Sequence, residues 1–238
     1  IEIAPTKFGE FNDLIEKNSF NEEYELIKKC GLELYSFQSI TYTIDNNIFH
    51  NNNCLLFEHL KKIIDLALNY NVVNLVFGCP KNRRILDLNK DNEKIFVDFM
   101  SKLGNYIGDR NLIISIENNS NKYNCNYLNT IDSVGKIVKK INHSKIRMMV
   151  DIGNCIMDDD NIQNIIKYKE LINHIHISMP FMNPLINYNE YEYMKFIDIL
   201  KNINYNKIIS LEFLNNNSNY ELQTLNAAIN NFVKLCFQ

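Results

Sequence analysis

Four stretches decide how this chain is read: Asn111-Leu-Ile-Ile-Ser-Ile-Glu117, Ile146-Arg-Met-Met-Val-Asp151, Ile172-Asn-His-Ile-His-Ile-Ser178 and Ile208-Ile-Ser-Leu-Glu-Phe213. Each is a short apolar run of β character that ends on a group able to bind a metal: Glu117, Asp151, His176 and Glu212. An acid set directly after a buried strand is costly unless something pairs it. Four such placements in chain order, at the same end of each run, point to one shared site. A parallel barrel provides it, because it gathers the C-terminal ends of its strands at one mouth.

Strand alternation sharpens the expectation. Glu117 shares a face with Ser115 and Ile113, Asp151 with Met149 and Arg147, His176 with His174 and Ile172, and Glu212 with Ser210 and Ile208. The opposite faces, Ile114/Ile116, Met148/Val150, Ile175/Ile177 and Ile209/Leu211, are apolar and suit packing against helices. All four candidate ligands therefore point into the barrel. Three carboxylates drawn together repel, so protons or a cation must settle their charge. Three carboxylates and one imidazole suit a single divalent ion: Mn²⁺, Mg²⁺, Co²⁺ or Zn²⁺. His174, one layer deeper on the same face, reads as a hydrogen-bonded interior histidine behind the ligand.

Outward from these runs, short β-rich segments alternate with longer helical ones. Strands are predicted at 1–5, 32–39, 72–77, 111–117, 146–151, 172–178 and 208–213, and helices at 22–30, 55–70, 92–107, 130–141, 161–169, 188–203 and 219–236. In the second helix Leu56, Leu60, Ile63, Ile64, Ala67 and Leu68 share one face, and Thr130 is a candidate N-cap for the fourth. The pattern is α/β, a TIM (β/α)8-type barrel, in one domain over 1–238. Seven strands are visible, not the eight of a closed barrel, and the run at 1–5 opens the chain without a lead-in. The simplest account is that the first βα unit is lacking. Another segment or chain filling the gap, or an open sheet, are the alternatives.

Composition narrows the function classes. The net charge of -3 gives no electrostatic case for nucleic acid or an acidic membrane surface. No apolar run reaches the roughly 18 residues of a membrane span. The six cysteines form no Cys-x-x-Cys pair and read as reduced thiols of a cytoplasmic protein. A segment removed before Ile1 stays compatible with the sequence. Asparagine makes up roughly one residue in six, a compositional bias that makes the sequons at Asn118, Asn142 and Asn216 expected by chance.

Further motifs carry a resemblance. Glu2-Ile-Ala-Pro-Thr-Lys7, Val76-Phe-Gly-Cys-Pro-Lys-Asn-Arg83, Ile116-Glu-Asn-Asn119 with Tyr123, Val150-Asp-Ile-Gly153, His174-Ile-His-Ile-Ser178 and Ser210-Leu-Glu212 together resemble the xylose isomerase-like TIM barrels. This is the sugar phosphate isomerase/epimerase and AP-endonuclease-2 superfamily. The nearest branch is the bacterial-type isomerase/epimerase-like proteins of sugar metabolism, in which the Glu-Ile-Ala-Pro-Thr motif lies on the second strand. The resemblance implies a metal held by Glu117, Asp151, His176 and Glu212, with Glu117 and Glu212 also serving as the acid/base pair. It also implies a small sugar or sugar phosphate as substrate. Lys81, Asn82 and Arg83, just past a strand end, are candidates to hold a phosphate or carboxylate on it. Gln38 and Asn119 are candidates for its hydroxyls, and His174 is grouped with this substrate side. Two positions depart from the family pattern: Asn154 stands where relatives often have a histidine, and Met179 where they commonly have an acid.

The expected activity is thus a metal-dependent sugar or sugar-phosphate isomerase/epimerase working by proton transfer next to a carbonyl. The alternatives are an AP-endonuclease-like metal hydrolase on DNA, or a degenerate non-catalytic barrel used as a binding module. Three-metal DNA repair chemistry needs more histidine ligands than this chain offers, and no nucleic-acid or membrane partner is expected. The sugar, the metal and the oligomeric state, a homo-oligomer included, stay open at this level.

Overall fold

The computed structural model describes residues 1–8, 20–50, 52–214 and 222–237. Seven strands form one parallel sheet in chain order: β1 (Glu2–Ile3), β2 (Ser36–Phe37), β3 (Asn74–Phe77), β4 (Ile113–Ile116), β5 (Ile146–Asp151), β6 (Ile172–Ile177) and β7 (Ile209–Leu211). The helices between them are α1 (Asn21–Lys29), α2 (Asn53–Asn69), α3 (Asn92–Ile107), α4 (Ile131–Ile141), α5 (Ile152–Met157), α6 (Asn164–Lys167), α7 (Glu190–Asn202) and α8 (Leu222–Phe237). This is a TIM barrel lacking one unit. Among the described residues β1 pairs with β2 alone and β7 with β6 alone, so the sheet is open between β7 and β1.

Several strands are shorter than the apolar pattern predicts. Pro5 lacks an N–H and starts a 3₁₀ turn over Pro5–Phe8, which ends β1 at Ile3. So short an edge strand leaves β2 little to pair with, and the predicted strand over 32–39 contracts to Ser36–Phe37. The helix predicted over 161–169 breaks into α6 and a 3₁₀ turn at Lys169–Leu171. The start of the helix predicted at 219–236 and the sequon at Asn216 lie outside the described residues.

Local chemistry sets the helix ends. Thr130 Oγ1 accepts from the Ser133 N–H at 3.2 Å, and Ser133 Oγ accepts from the Thr130 N–H at 3.1 Å. This reciprocal cap satisfies donors that the first turn of α4 leaves without partners. The apolar stripe of α2 packs inward as its spacing demands, with Leu56, Leu60, Ile63, Ile64 and Ala67 buried and Leu68 partly so. Gly135 on α4 lies under the ring of Tyr168, which a Cβ there would approach to 2.5 Å.

Strict alternation fails at one place. Met148 pairs with Ile172, but the next residue, Met149, pairs with His174, so β6 carries a bulge at Asn173. Ile172 therefore joins the apolar outer layer with Met148 instead of sharing the inner face with His174. Asn173 turns inward, and its Nδ2 donates to Asn74 Oδ1 at 3.1 Å and Ser115 Oγ at 3.0 Å. Ser115 Oγ donates to Asn74 Oδ1 at 2.6 Å, and Asn74 Nδ2 donates to Ser36 Oγ at 2.9 Å. A layer of neutral, mutually bonded side chains thus fills the barrel below the mouth, which avoids the penalty of unpaired buried polar groups.

Candidate functional site

Glu117 directly follows β4, Asp151 ends β5, His176 lies in β6 and Glu212 directly follows β7, so all four stand at the C-terminal mouth. The ladder carries two of them into place: the Glu117 N–H donates to Phe77 O at 3.2 Å and the Glu212 N–H to Ile177 O at 3.0 Å. His176 Nδ1 lies 3.0 Å from Glu212 Oε2, 3.6 Å from Glu117 Oε1 and 3.9 Å from Asp151 Oδ2. One potential ligand atom from each residue falls within 4.8 Å of all the others, and all four residues are buried.

Two of the acids are held by groups outside the cluster. Asn119 Nδ2 donates to Glu117 Oε2 at 2.8 Å. Asp151 Oδ1 accepts from the Asn154 N–H at 2.6 Å, making the acid the N-cap of α5, and Ser178 Oγ lies 2.9 Å from both Asp151 oxygens. The Asn118 side chain extends the sheet between β4 and β5: its Oδ1 accepts from the Asp151 N–H at 3.0 Å. The chain makes room for these carboxylates with glycine. A Cβ on Gly78 would lie 2.3 Å from Glu117 Oε2, and one on Gly153 would lie 2.2 Å from Ser178 Oγ.

The electrostatics follow from burial and crowding. Burial first, then the charges of Glu117 and Glu212, hold the Asp151 carboxyl well above the usual carboxylate range. Burial opposes protonation of His176, yet the charges of Glu2 and Glu212 push it well above the ordinary histidine value. A positive charge at the centre of three carboxylates is therefore favoured, and a divalent cation fits that place in exchange for protons. A donor set of three acids and one imidazole suits such an ion.

Above the acids opens a cavity of about 380 Å³, lined by Gln38, Lys81, Asn119, Tyr123, Asn154 and Glu212 among others. Burial, with the charges of Asp151, Glu212 and Glu117, pushes the Tyr123 phenol up to about 12, so it stays a hydrogen-bond donor at neutral pH. Cys79 also lines the cavity, but burial pushes its thiol up to about 12 and leaves no reactive thiolate. Ser39 and Cys79 hold left-handed backbone, φ 51° each, where the chain turns away from the mouth.

The remaining candidates are spread over different surroundings. Gln38 and Asn119 line the cavity. Lys81 stands at its rim, with Nζ 2.7 Å from Asp45 Oδ1. Asn82 touches the cavity but its amide staples a loop, accepting from Thr41 Oγ1 at 2.7 Å and donating to Ile44 O and Asn46 O at 2.8 Å each. Arg83 is fully buried behind the cavity wall; its guanidinium donates to Phe77 O, Glu117 O at 2.8 Å, Asn119 Oδ1 at 3.0 Å and Leu128 O. His174 is likewise buried, with Nε2 3.1 Å from Ser210 Oγ. Glu2, whose carboxylate reaches both His174 and His176, is not marked by the strand pattern; the Asp151 cap on the Asn154 N–H is signalled only by an aspartate standing between a strand and a helix.

These features define a parallel α/β barrel that concentrates ionisable side chains at its strand ends. The chain belongs to the xylose isomerase-like TIM barrel family, whose model matches residues 1–230. Among solved structures it resembles 3-keto-D-glucoside 4-epimerase from E. coli (16% identity, 98% of this chain and 87% of that one, TM-score 0.74). It also resembles D-allulose 3-epimerase from Methylomonas sp. (18% identity, 95% and 78%, TM-score 0.70). D-psicose 3-epimerase from Clostridium cellulolyticum H10 is a third such structure (14% identity, 99% and 88%, TM-score 0.72). A sequence comparison with curated proteins returns no match.

Proposed function

We propose that this protein is a metal-dependent sugar or sugar-phosphate isomerase/epimerase that moves a proton on a carbon next to a carbonyl. The observation that carries the reading is the buried cluster of Glu117, Asp151, His176 and Glu212 at the floor of an open cavity. These four residues would hold one divalent ion. Such an ion supplies Lewis acidity, drawing electron density from a substrate carbonyl and easing proton loss from the neighbouring carbon. Support of a different kind comes from the structural relatives, which are named for epimerisation of keto sugars.

The chain's own groups divide the remaining work. Glu117 and Glu212 sit on separate strands at the cavity floor, suited to take a proton from one face of the carbon and return one to the other. Asn119 fixes the Glu117 carboxylate through Oε2, leaving Oε1 toward the cluster. Tyr123, Gln38 and Asn119 offer neutral hydrogen bonds to hydroxyls, and Lys81 at the rim is the candidate for an anionic group. Arg83 acts from behind, holding Asn119 and the Glu117 backbone. Asn154 and Met179, at the positions where the family resemblance implies that a histidine and an acid often stand, fit one ion rather than several.

Solvent exchange tests this reading. With Mn²⁺ supplied, candidate ketohexoses in D₂O should gain deuterium at a carbon next to the carbonyl, and Glu117→Gln or Glu212→Gln should abolish the gain. Turnover with no deuterium entry, or full exchange in both variants, would contradict it.

A further inference from the structure

We propose that Glu2 is a positioning residue that fixes which nitrogen of His176 faces the metal site, an inference that rests on the metal reading above. Glu2 comes from β1, the edge strand five places from β6 in the sheet order, and its side chain is only 5% exposed. Its Oε1 lies 2.7 Å from His176 Nε2, and its Oε2 lies 3.2 Å from His174 Nε2. Both oxygens are sealed from solvent and have no hydrogen-bond partner of good geometry, so the two imidazole nitrogens at these distances are the ion-pairing groups that face them. A buried carboxylate needs such partners, and an imidazole that donates from Nε2 turns its Nδ1 lone pair the opposite way. That direction leads to Glu117, Asp151 and Glu212, which surround Nδ1.

The ring is also held against rotation. The His174 and His176 rings pack edge to face with centroids 5.0 Å apart, and His174 Nε2 meets both Glu2 Oε2 and Ser210 Oγ. The anchor is firm: the Tyr35 N–H donates to Ile1 O at 2.9 Å and the Gln38 N–H to Ile3 O at 2.8 Å, on either side of Glu2. Glu2 therefore touches no substrate; it sets the tautomer and aim of a ligand from outside the cluster. A carboxylate behind a ligating histidine raises its basicity, and removing one typically weakens metal binding about 10–100-fold.

Calorimetric titration with Co²⁺ tests the assignment on wild-type protein and on Glu2→Gln, whose amide keeps the volume but cannot accept from both imidazoles. We expect Co²⁺ binding about 10–100-fold weaker in the variant. Nitrogen NMR of histidine-labelled wild-type protein loaded with Zn²⁺ supplies a reading independent of the variant's folding: the His176 proton should sit on Nε2 and the metal shift on Nδ1. Equal Co²⁺ affinity in the two proteins, or a metal shift on Nε2, overturns the role of Glu2 alone. A wild-type protein that binds neither ion overturns the metal reading, and this inference with it.

Discussion

Replacing Gly78 by alanine should damage the metal site while sparing the fold. A Cβ at this position would stand 2.3 Å from Glu117 Oε2, inside the shortest tolerated contact of 3.0 Å. The carboxylate must then retreat by roughly 0.7 Å, because closely packed surroundings transmit the overlap instead of absorbing it. Its bond from Asn119 Nδ2, 2.8 Å long, and its aim at His176 Nδ1 both move with it. Misplacement of a reacting group by about 1 Å costs about 10²-fold in rate, or about 2.7 kcal/mol of barrier. Metal affinity should fall by about tenfold or more, the range seen when the support of a ligand is lost. Folding stability should change little. Alanine in place of glycine stabilises by roughly 0.4–1 kcal/mol through the unfolded chain, which offsets much of the lost hydrogen bond. Mn²⁺ calorimetry beside urea unfolding separates the two effects. An affinity for Mn²⁺ equal to that of the wild type, with the fold intact, would refute the claim that Gly78 leaves room for a ligand.

Other expectations concern the scaffold. Arg83→Met removes the donors to Phe77 O, Glu117 O, Asn119 Oδ1 and Leu128 O and should lower urea stability by about 2 kcal/mol or more, with metal affinity falling as Asn119 loses its anchor. Thr130→Ala breaks the reciprocal cap of α4 and should cost about 1 kcal/mol by the same measurement. Asp132 bonds with Lys136, Lys167 and Tyr168 hold its carboxyl below the ordinary value of 3.8. Its stabilising effect is therefore fully present above pH 3.8 and fades as pH falls through the lower folded value. Asp132→Asn should accordingly differ from wild type at pH 7 and converge with it in acid; the difference is small because these are surface pairs, weakened further by salt.

What could be read from the sequence follows from what is local. The period-2 runs before Glu117, Asp151 and Glu212 mark strands by residues that sit next to one another, and the pattern alone sends these acids inward. The Thr130 cap is legible for the same reason, since its partner is three residues away. The bulge at Asn173 was not legible: alternation continues across it on paper, and only pairing with β5 reveals the skipped residue. Arg83 reads as a loop cation, yet its donors meet the nearby Phe77 carbonyl and those of Glu117 and Leu128, 34 and 45 residues away, which no spacing rule connects. Glu2 is separated from His176 by most of the chain, and only the curl of the sheet around the barrel interior brings them to 2.7 Å.

A Mn²⁺-soaked crystal examined by anomalous scattering addresses the central claim most directly. One strong peak should lie about 2.0–2.2 Å from an oxygen of each of Glu117, Asp151 and Glu212 and from His176 Nδ1. No peak among these four side chains, or a peak bound by other residues, would contradict it.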